Sequence, residues 1–226
     1  MELLRAIQIF SNLDTSDLDT IKSMMKYATF NENEIILAHG EESTAVYFLL
    51  DGAVRSTTYS MSGKEICFQH LAPGEMFGEL SAIDSLPRTT SIIAKSNCRL
   101  GILTAPQLWL LMEEHPKIMA GVLKRLTSMV RFLCSRVYEY GALGTRERTR
   151  VEILRLAKDN MIGDQNAVIK DMPTHEAIAN KIASHREAVT KELSHLVKRG
   201  LIEKKGKTLV IPNINALSAT IIENIA

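Results

Sequence analysis

The sequence predicts an α+β fold: short antiparallel strands closed into a sandwich or barrel, a long helix, and a small helical module ending in a β-hairpin. Three observations carry this. Glycine recurs at positions 40, 52, 63, 74, 78 and 101, with short β-prone runs between. Residues 105–140 then hold no glycine but Gly121, and apolar side chains recur there at steps of three and four. Between Pro173 and Asn213, two short helical patterns are followed by a hairpin with a lysine-rich tip. A chain of 226 residues, 46% apolar and 23% charged, has room for two domains and excludes a disordered or rod-like protein. The net charge of +1 points to no partner. Its distribution says more: residues 1–140 carry 13 basic and 16 acidic side chains, whereas residues 141–226 carry 14 and 10. A basic C-terminal part suits a polyanion.

Taken in order, residues 1–30 read as short helices. Asn12 to Ser16 form a turn, and Ser16 is placed to cap a helix carrying Leu18, Ile21, Met24 and Met25. Strands are expected at 46–50, 53–59, 65–71, 90–94 and 98–103, with Ser62-Gly63 as a hairpin turn. The long helix carries Met119, Val122, Leu126, Met129, Leu133 and Tyr140, with Arg136 interrupting, and a second stripe of Leu123, Val130 and Val137. Two apolar stripes have two surfaces to bury: one can cover the strands, and the other has heptad spacing suited to a second copy. Gly141-Ala142-Leu143-Gly144 reads as a hinge, and Arg148 to Asn160 as a further helix.

Thr174 is a good N-cap with Glu176 in the first turn. Ile178 and Ile182 form one apolar edge before Ala183-Ser184-His185 breaks the pattern. The next helix turns Val189, Leu193 and Leu196 inward and Arg186, Glu187, Thr190, Lys191 and Ser194 outward. Two short helices about a three-residue break suit a helix-turn-helix. Arg donates bidentately to guanine and Glu accepts from cytosine, so the outward face suits the major groove. Residues 201–211 read as a hairpin with Lys204, Lys205 and Lys207 at its tip, a wing suited to phosphates. Many such turns hold Gly where this chain has Ala183, and a left-handed backbone is costlier for Ala.

The segment PGEMFGELSAIDSLPRTTSIIA, residues 73–94, reads as an anion cradle. Gly78 permits close backbone approach, and Arg88, Thr89 and free backbone amides can hold one phosphate. Glu79 would repel phosphate but accepts from a sugar hydroxyl, so the pair suggests a phosphate beside a ribose. The bland alternative is a simple ion pair between Glu79 and Arg88.

These residues resemble a known family. FGELSAIDSLPRTTSIIA looks like the phosphate-binding cassette of cyclic-nucleotide-binding domains, and Arg186-Glu187-Ala188-Val189 resembles the start of the recognition helix in the cyclic-AMP receptor protein / fumarate-nitrate regulator (CRP/FNR) family. The resemblance covers essentially the whole chain, on the cyclic-nucleotide-binding branch. It implies a homodimeric transcription regulator: an antiparallel β-roll over residues 1–110 for the nucleotide, a dimerisation helix at 111–140, a hinge at 141–145 and a winged helix-turn-helix at 146–226 for DNA. Implied ligand residues are Gly78, Glu79, Leu80, Arg88 and Thr89, with Leu133 and Cys134 at the base-contacting positions. Implied DNA residues are Thr174, His175, Ser184, His185, Arg186, Glu187, Thr190, Lys191 and Lys205. Lys191 falls where the family often has Arg, and His175 where an Arg commonly grips phosphate. The family has a Thr-Ser pair where Leu133 and Cys134 stand, and neither of these donates or accepts well. The implied effector is cyclic AMP (cAMP), with cyclic GMP or a cassette without ligand as alternatives. The implied partners are a palindromic operator in double-stranded DNA, a second copy of the chain and RNA polymerase.

Other classes fit less well. Three cysteines, Cys67, Cys98 and Cys134, form no CxxC pair, so a disulfide framework or structural zinc is not expected. The six histidines are scattered, and neither metal spacing nor a nucleophile elbow appears, which argues against an enzyme. A regulatory subunit of an enzyme would share the cassette but leave the helix-turn-helix unexplained. The N-terminus lacks a secretory pattern and no apolar run reaches membrane-spanning length, so a cytoplasmic protein is expected.

Overall fold

The computed structural model describes residues 2–61, 63 and 65–222, so Ser62 of the expected hairpin turn lies outside the described residues. The chain divides into two compact units, residues 1–131 and 132–226.

In the N-terminal unit, α1 (Glu2–Arg5) and α2 (Thr15–Met24) precede β1 (Lys26–Phe30), β2 (Ile35–Leu37), β3 (Val46–Asp51), β4 (Val54–Tyr59), β5 (Glu65–Leu71) and β6 (Met76–Phe77). Then come α3 (Glu79–Asp84), β7 (Ser91–Ala94), β8 (Cys98–Leu103), α4 (Ala105–Glu114) and the start of α5 (Pro116–Ala142). The strands pair antiparallel in two sheets ordered β1-β8-β3-β6 and β2-β7-β4-β5. Leu49, Phe77 and Leu100 of one sheet and Leu37, Val54 and Ile92 of the other share one buried cluster. On the second cluster, Phe10 and Phe48 lie 5.0 Å apart between ring centroids, and Leu108, Ile118 and Val122 close it from the helices. A Cβ at Gly121 would come within 3.0–3.3 Å of Ile9, so α5 packs tightly on Ile9 at this glycine.

The five expected strands form, and three more join them. Lys26–Phe30, read as helical, is β1, because its hydrogen bonds go to β8. The cap of α2 is Asp14 rather than Ser16: its carboxylate accepts from the Asp17 amide at 2.9 Å. The helix expected from residue 111 begins instead at Pro116, since a proline disfavours helical backbone at the preceding His115 while suiting a first helical turn. The face of α5 on the core is Ile118 and Val122, with Leu126 beside them, whereas Met119 is exposed.

The C-terminal unit begins in the last turns of α5. It continues with α6 (Thr145–Lys158), β9 (Met161–Ile162), β10 (Asn166–Ile169), α7 (His175–Lys181), α8 (Arg186–Lys198), β11 (Glu203–Lys205), β12 (Thr208–Ile211) and α9 (Ile214–Ile222). The sheet order is β11-β12-β10-β9, so the expected wing is extended by a second small hairpin. Ile153, Ile178, Ile182, Val189, Leu196, Leu209 and Leu217 fill the core. Arg150 and Glu192 form a buried ion pair at 2.7 Å, and Arg150 also donates to the Thr220 carbonyl, tying α8 to α6 and α9.

Helix α5 runs through Gly141 to Ala142, so only Leu143 and Gly144 separate it from α6. Arg136 is no mere interruption of a stripe. It is buried and donates to Glu139 at 2.9 Å and to the Lys181 carbonyl, which also accepts from the Tyr140 hydroxyl. Arg155 bridges Glu139 and Glu152, and Lys181 reaches Glu152 at 3.2 Å. Burial alone would raise the Glu152 pKa, but Lys181, Arg155 and Arg136 outweigh it and hold the carboxyl below its usual range.

The break between α7 and α8 puts Ala183 at φ +49°, in the left-handed region. Ala183→Gly is therefore expected to stabilise the C-terminal unit by about 0.5–1 kcal/mol. Chemical denaturation followed by circular dichroism checks this, and an unchanged or lower midpoint contradicts it.

Candidate functional site

The cassette is built on a turn and one guanidinium. Phe77 ends β6, Gly78 follows at φ +80°, and α3 starts with Glu79. A Cβ on Gly78 would lie 2.7 Å from Arg88 Nη1 and 3.0 Å from the Ala45 carbonyl oxygen, so only glycine fits there. Arg88 is 3% exposed. Its Nε donates to Ser43 Oγ at 2.9 Å, Nη1 to the Gly78 carbonyl at 2.8 Å and Nη2 to the Ala45 carbonyl at 2.7 Å. Tyr47 lies under the guanidinium at 5.9 Å and stacks on Phe77 with 5.3 Å between centroids. The Arg88 backbone pairs with Glu41 and Gly40, which anchors both sides of the loop.

The electrostatics follow from burial. Burial pulls the Arg88 pKa down, while Tyr47, Glu41 and Glu79 act in the opposite direction. Hydrogen bonds from Ser43 and the Ala38 amide, with help from Arg88, hold Glu41 below the usual carboxylate range. Burial raises the Tyr47 phenol. An Arg has five N–H donors, and three are used, so two remain for an anion.

Glu79 is 2% exposed, and Arg125 on α5 donates to it at 3.2 Å. Arg88 is bonded elsewhere, so the simple Glu79–Arg88 ion pair is not what holds this loop. Leu80 is half-buried and Thr89 exposed beside them. The structure thus gathers Gly78, Glu79, Leu80, Arg88 and Thr89 in the N-terminal unit. Leu133 and Cys134 lie further along α5, both exposed and assigned to the C-terminal unit. Ser43, Ala45, Tyr47 and Arg125 were not singled out from the sequence. Arg125 sits among polar residues of a long helix, and an Ala carbonyl carries no mark in any sequence.

In the C-terminal unit, Thr174 caps α7 by accepting from the Ala177 amide at 3.1 Å. Arg186, Glu187, Thr190, Lys191 and Ser194 are all exposed along α8, with His185 at its N-cap. Ser184 departs from the expectation: it is 6% exposed, enclosed in the turn, and does not present a surface side chain. The wing turn carries Lys204, Lys205 and Lys207 in solvent. An exposed Arg-Glu pair heading a helix, flanked by a basic hairpin, can read base edges with one element and hold phosphates with the other.

His175 joins the two helices. Its Nδ1 lies 2.7 Å from Thr190 Oγ1, and that hydroxyl donates its only proton to the Arg186 carbonyl at 2.9 Å. Nδ1 is therefore the donor, and Nε2 of the neutral ring can only accept. Burial, Lys204 and Arg186 push the His175 pKa below its usual value, so the ring is neutral at pH 7. A DNA phosphate at Nε2 would favour the protonated ring and raise that pKa. Affinity for DNA is thus expected to rise as pH falls from about 7.5 to 6, by up to tenfold per unit of pKa difference. The measurement is DNA affinity against pH at fixed ionic strength. Because the unit also carries His185 and His195, His175→Gln is the control, and an identical pH slope in that variant contradicts the assignment.

Among the described residues, no group of three or more His, Cys, Asp or Glu is placed to hold a metal ion, and no helix is long and apolar enough to cross a membrane. Residues 28–115 match the family model of the cyclic nucleotide-binding domain, and residues 144–220 that of the Crp-like helix-turn-helix domain. The chain is 26% identical over 219 residues to the CRP-like cAMP-activated global transcriptional regulator of Mycobacterium tuberculosis, covering 96% of this chain and 97% of that protein. It is 23% identical over 173 residues to the cAMP-activated global transcriptional regulator CRP of Haemophilus influenzae, covering 76% and 77%. Its fold is similar to the c-di-GMP responsive global regulator CLP of Xanthomonas campestris, with a TM-score of 0.73 at 18% identity, covering 88% of this chain and 99% of that one. These relatives are transcription regulators, not enzymes.

Proposed function

The chain belongs to the CRP/FNR family of DNA-binding transcription regulators, with a cyclic-nucleotide-binding domain, and on that footing we propose that it is a homodimer whose operator binding is controlled by cAMP at the Gly78–Thr89 cassette. The observation that carries this reading is Arg88: a guanidinium 3% exposed, fixed by Ser43, Gly78 and Ala45, with two N–H donors left for a phosphate. Thr89 adds a hydroxyl, and Glu79 an acceptor for a ribose hydroxyl. The two cAMP-activated relatives favour cAMP as the effector.

The base end is less selective. Leu133 and Cys134 stand where the family has a Thr-Ser pair, so hydrogen bonding there does not separate adenine from guanine. We therefore expect cAMP and cyclic GMP to differ little in affinity.

Homodimerisation is supported by α5. Leu123, Val130 and Val137 are exposed seven residues apart, and Met119, Leu133 and Tyr140 form a second exposed row at multiples of seven, so the two rows fit the two core positions of a heptad. A symmetric dimer prefers a palindrome with half-sites one helical turn, ~34 Å, apart. Arg186, Glu187, Thr190 and Lys191 would then meet base edges, while Thr174, His175 and Lys205 would meet phosphates. RNA polymerase completes the proposal as the partner of a bound regulator.

Isothermal titration of the full chain with cAMP and cyclic GMP tests the effector. The wild type is expected to bind both more tightly than about 1 mM, and Arg88→Ala to lose about ten- to a hundredfold or more. Because Arg88 also holds the loop together, Thr89→Val, at an exposed position, serves as the milder variant with a smaller loss. Binding of neither nucleotide by the wild type, or unchanged binding in both variants, contradicts the proposal.

A further inference from the structure

Two residues of α5 reach the helix-turn-helix from outside the segment that matches its family model. That match begins at residue 144, whereas Arg136 and Tyr140 stand before it. Both belong to the C-terminal unit. Arg136 and the Tyr140 hydroxyl donate to one acceptor, the Lys181 carbonyl at the end of α7, the hydroxyl at 3.1 Å. Arg136 is 6% exposed. Glu139 accepts from it at 2.9 Å, Glu152 lies 3.5 Å away, and the rings of Phe132 and Tyr140 each lie 5.6 Å from its guanidinium.

The last carbonyls of a helix have no partner within it, and the helix dipole favours a cation there. At the end of α7 the turn itself meets two of them. The Ile178 carbonyl accepts from the Ile182 amide at 3.1 Å, and the Ala179 carbonyl from the Ser184 amide at 2.9 Å. The Lys181 carbonyl is met from α5 instead. Its place in the chain gives that contact weight: Ala183 follows in the left-handed region at φ +49°, and α8 starts at Arg186. An isolated helix of seven residues is not stable in water. A strained turn persists only where its surroundings over-determine it. The other end of α7 is tied to α8 by His175 and Thr190 at 2.7 Å. The angle between the two helices is thus fixed at two points, one of them supplied by α5.

We propose that Arg136 and Tyr140 are positioning residues for DNA reading: by holding the Lys181 carbonyl they set the angle of α8 to α7, and thereby the preference for operator over random DNA. Base contacts carry sequence information and phosphate contacts do not. Arg186 and Glu187 head α8 directly after the turn, so a turn set loose at Lys181 displaces them first. Lys204, Lys205 and Lys207 lie on the wing hairpin and keep their attraction for phosphates. This role holds whichever nucleotide fills the cassette.

The test compares the wild type, Arg136→Met, Arg136→Lys and Tyr140→Phe, each in the full chain. The probes are a palindrome selected by the wild type from random duplexes, in the presence of cAMP and cyclic GMP, and a random-sequence duplex of the same length. Arg136→Met is expected to lose about five- to 150-fold of the preference for the palindrome, as one misplaced base contact does, and to bind the random duplex as the wild type does. Tyr140→Phe, which loses the hydroxyl and keeps the ring, is expected to lose about two- to tenfold of that preference. Arg136→Lys keeps the charge and a donor, and is expected to fall between the wild type and Arg136→Met. An unchanged preference in either Arg136→Met or Tyr140→Phe overturns the inference. So does an equal loss on both duplexes, which is what a merely structural role predicts. Should Arg136→Met fail to fold, Tyr140→Phe decides alone, with the same two readings. A wild type that prefers no sequence overturns the inference as well, since it has no reading to position.

Discussion

The N-terminal unit depends on the three hydrogen bonds of the Arg88 guanidinium. They join segments far apart in the chain: Ser43 and Ala45 before β3, Gly78 at the start of α3, and the loop that carries Arg88 into β7. A buried guanidinium is costly unless its donors are met, and here two carbonyls and a hydroxyl meet three of them. The same bonds explain Gly78, whose missing Cβ is the space that Nη1 occupies. The Phe77–Tyr47 stack then supports the cation from below. Structure and ligand chemistry share one group: what holds the loops together is also what offers donors to a phosphate.

The C-terminal unit is organised by buried charge in a similar way. Arg150 and Glu192 fix the inner side of the recognition helix, so its outer side presents Arg186 to Ser194 in one orientation. Arg136, Glu139, Glu152, Arg155 and Lys181 join the last turns of α5 to α6 and to the end of α7. Removing one partner from such a group costs about 3–5 kcal/mol, because an uncompensated charge stays buried. The last turns of α5 are thereby tied to α6 and to the end of α7, across Gly141, which is helical, and Gly144, the N-cap of α6.

Much of this was legible in the residues, and the exceptions share causes. Five strands stand out because glycines punctuate this region and the runs between them are rich in β-prone residues. Strands β2, β6 and β9 have three, two and two residues, too short for any period to show. The cassette was readable because Gly78, Glu79 and Arg88 sit close in sequence and each type has one apt chemistry. Its supporting atoms were not. The Ala45 contribution is a carbonyl that every residue owns, and Arg125 meets Glu79 across 46 positions. Arg136 looked like a polar fault in an apolar stripe, because a buried ion pair is recognisable only when its partners are seen together. Ser184 is buried while Ala183 and His185 beside it are exposed, and polarity alone does not tell which side chain of a three-residue turn faces inward.

The account requires the cassette and the recognition helix to be energetically coupled. Helix α5 is continuous from Pro116 to Ala142; it carries Arg125 in one unit and the buried Arg136 in the other. A ligand shifts DNA binding only as far as it prefers the binding-competent arrangement. On the proposed reading, with Leu133 and Cys134 offering few hydrogen bonds, that preference is expected to be modest, about 1–3 kcal/mol. The most direct measurement is the affinity of the full chain for a palindromic operator with and without saturating cAMP. The account predicts a gain of about 5- to 150-fold, with measurable binding in the absence of ligand. The same affinity with and without cAMP, in a protein that binds cAMP, would contradict it.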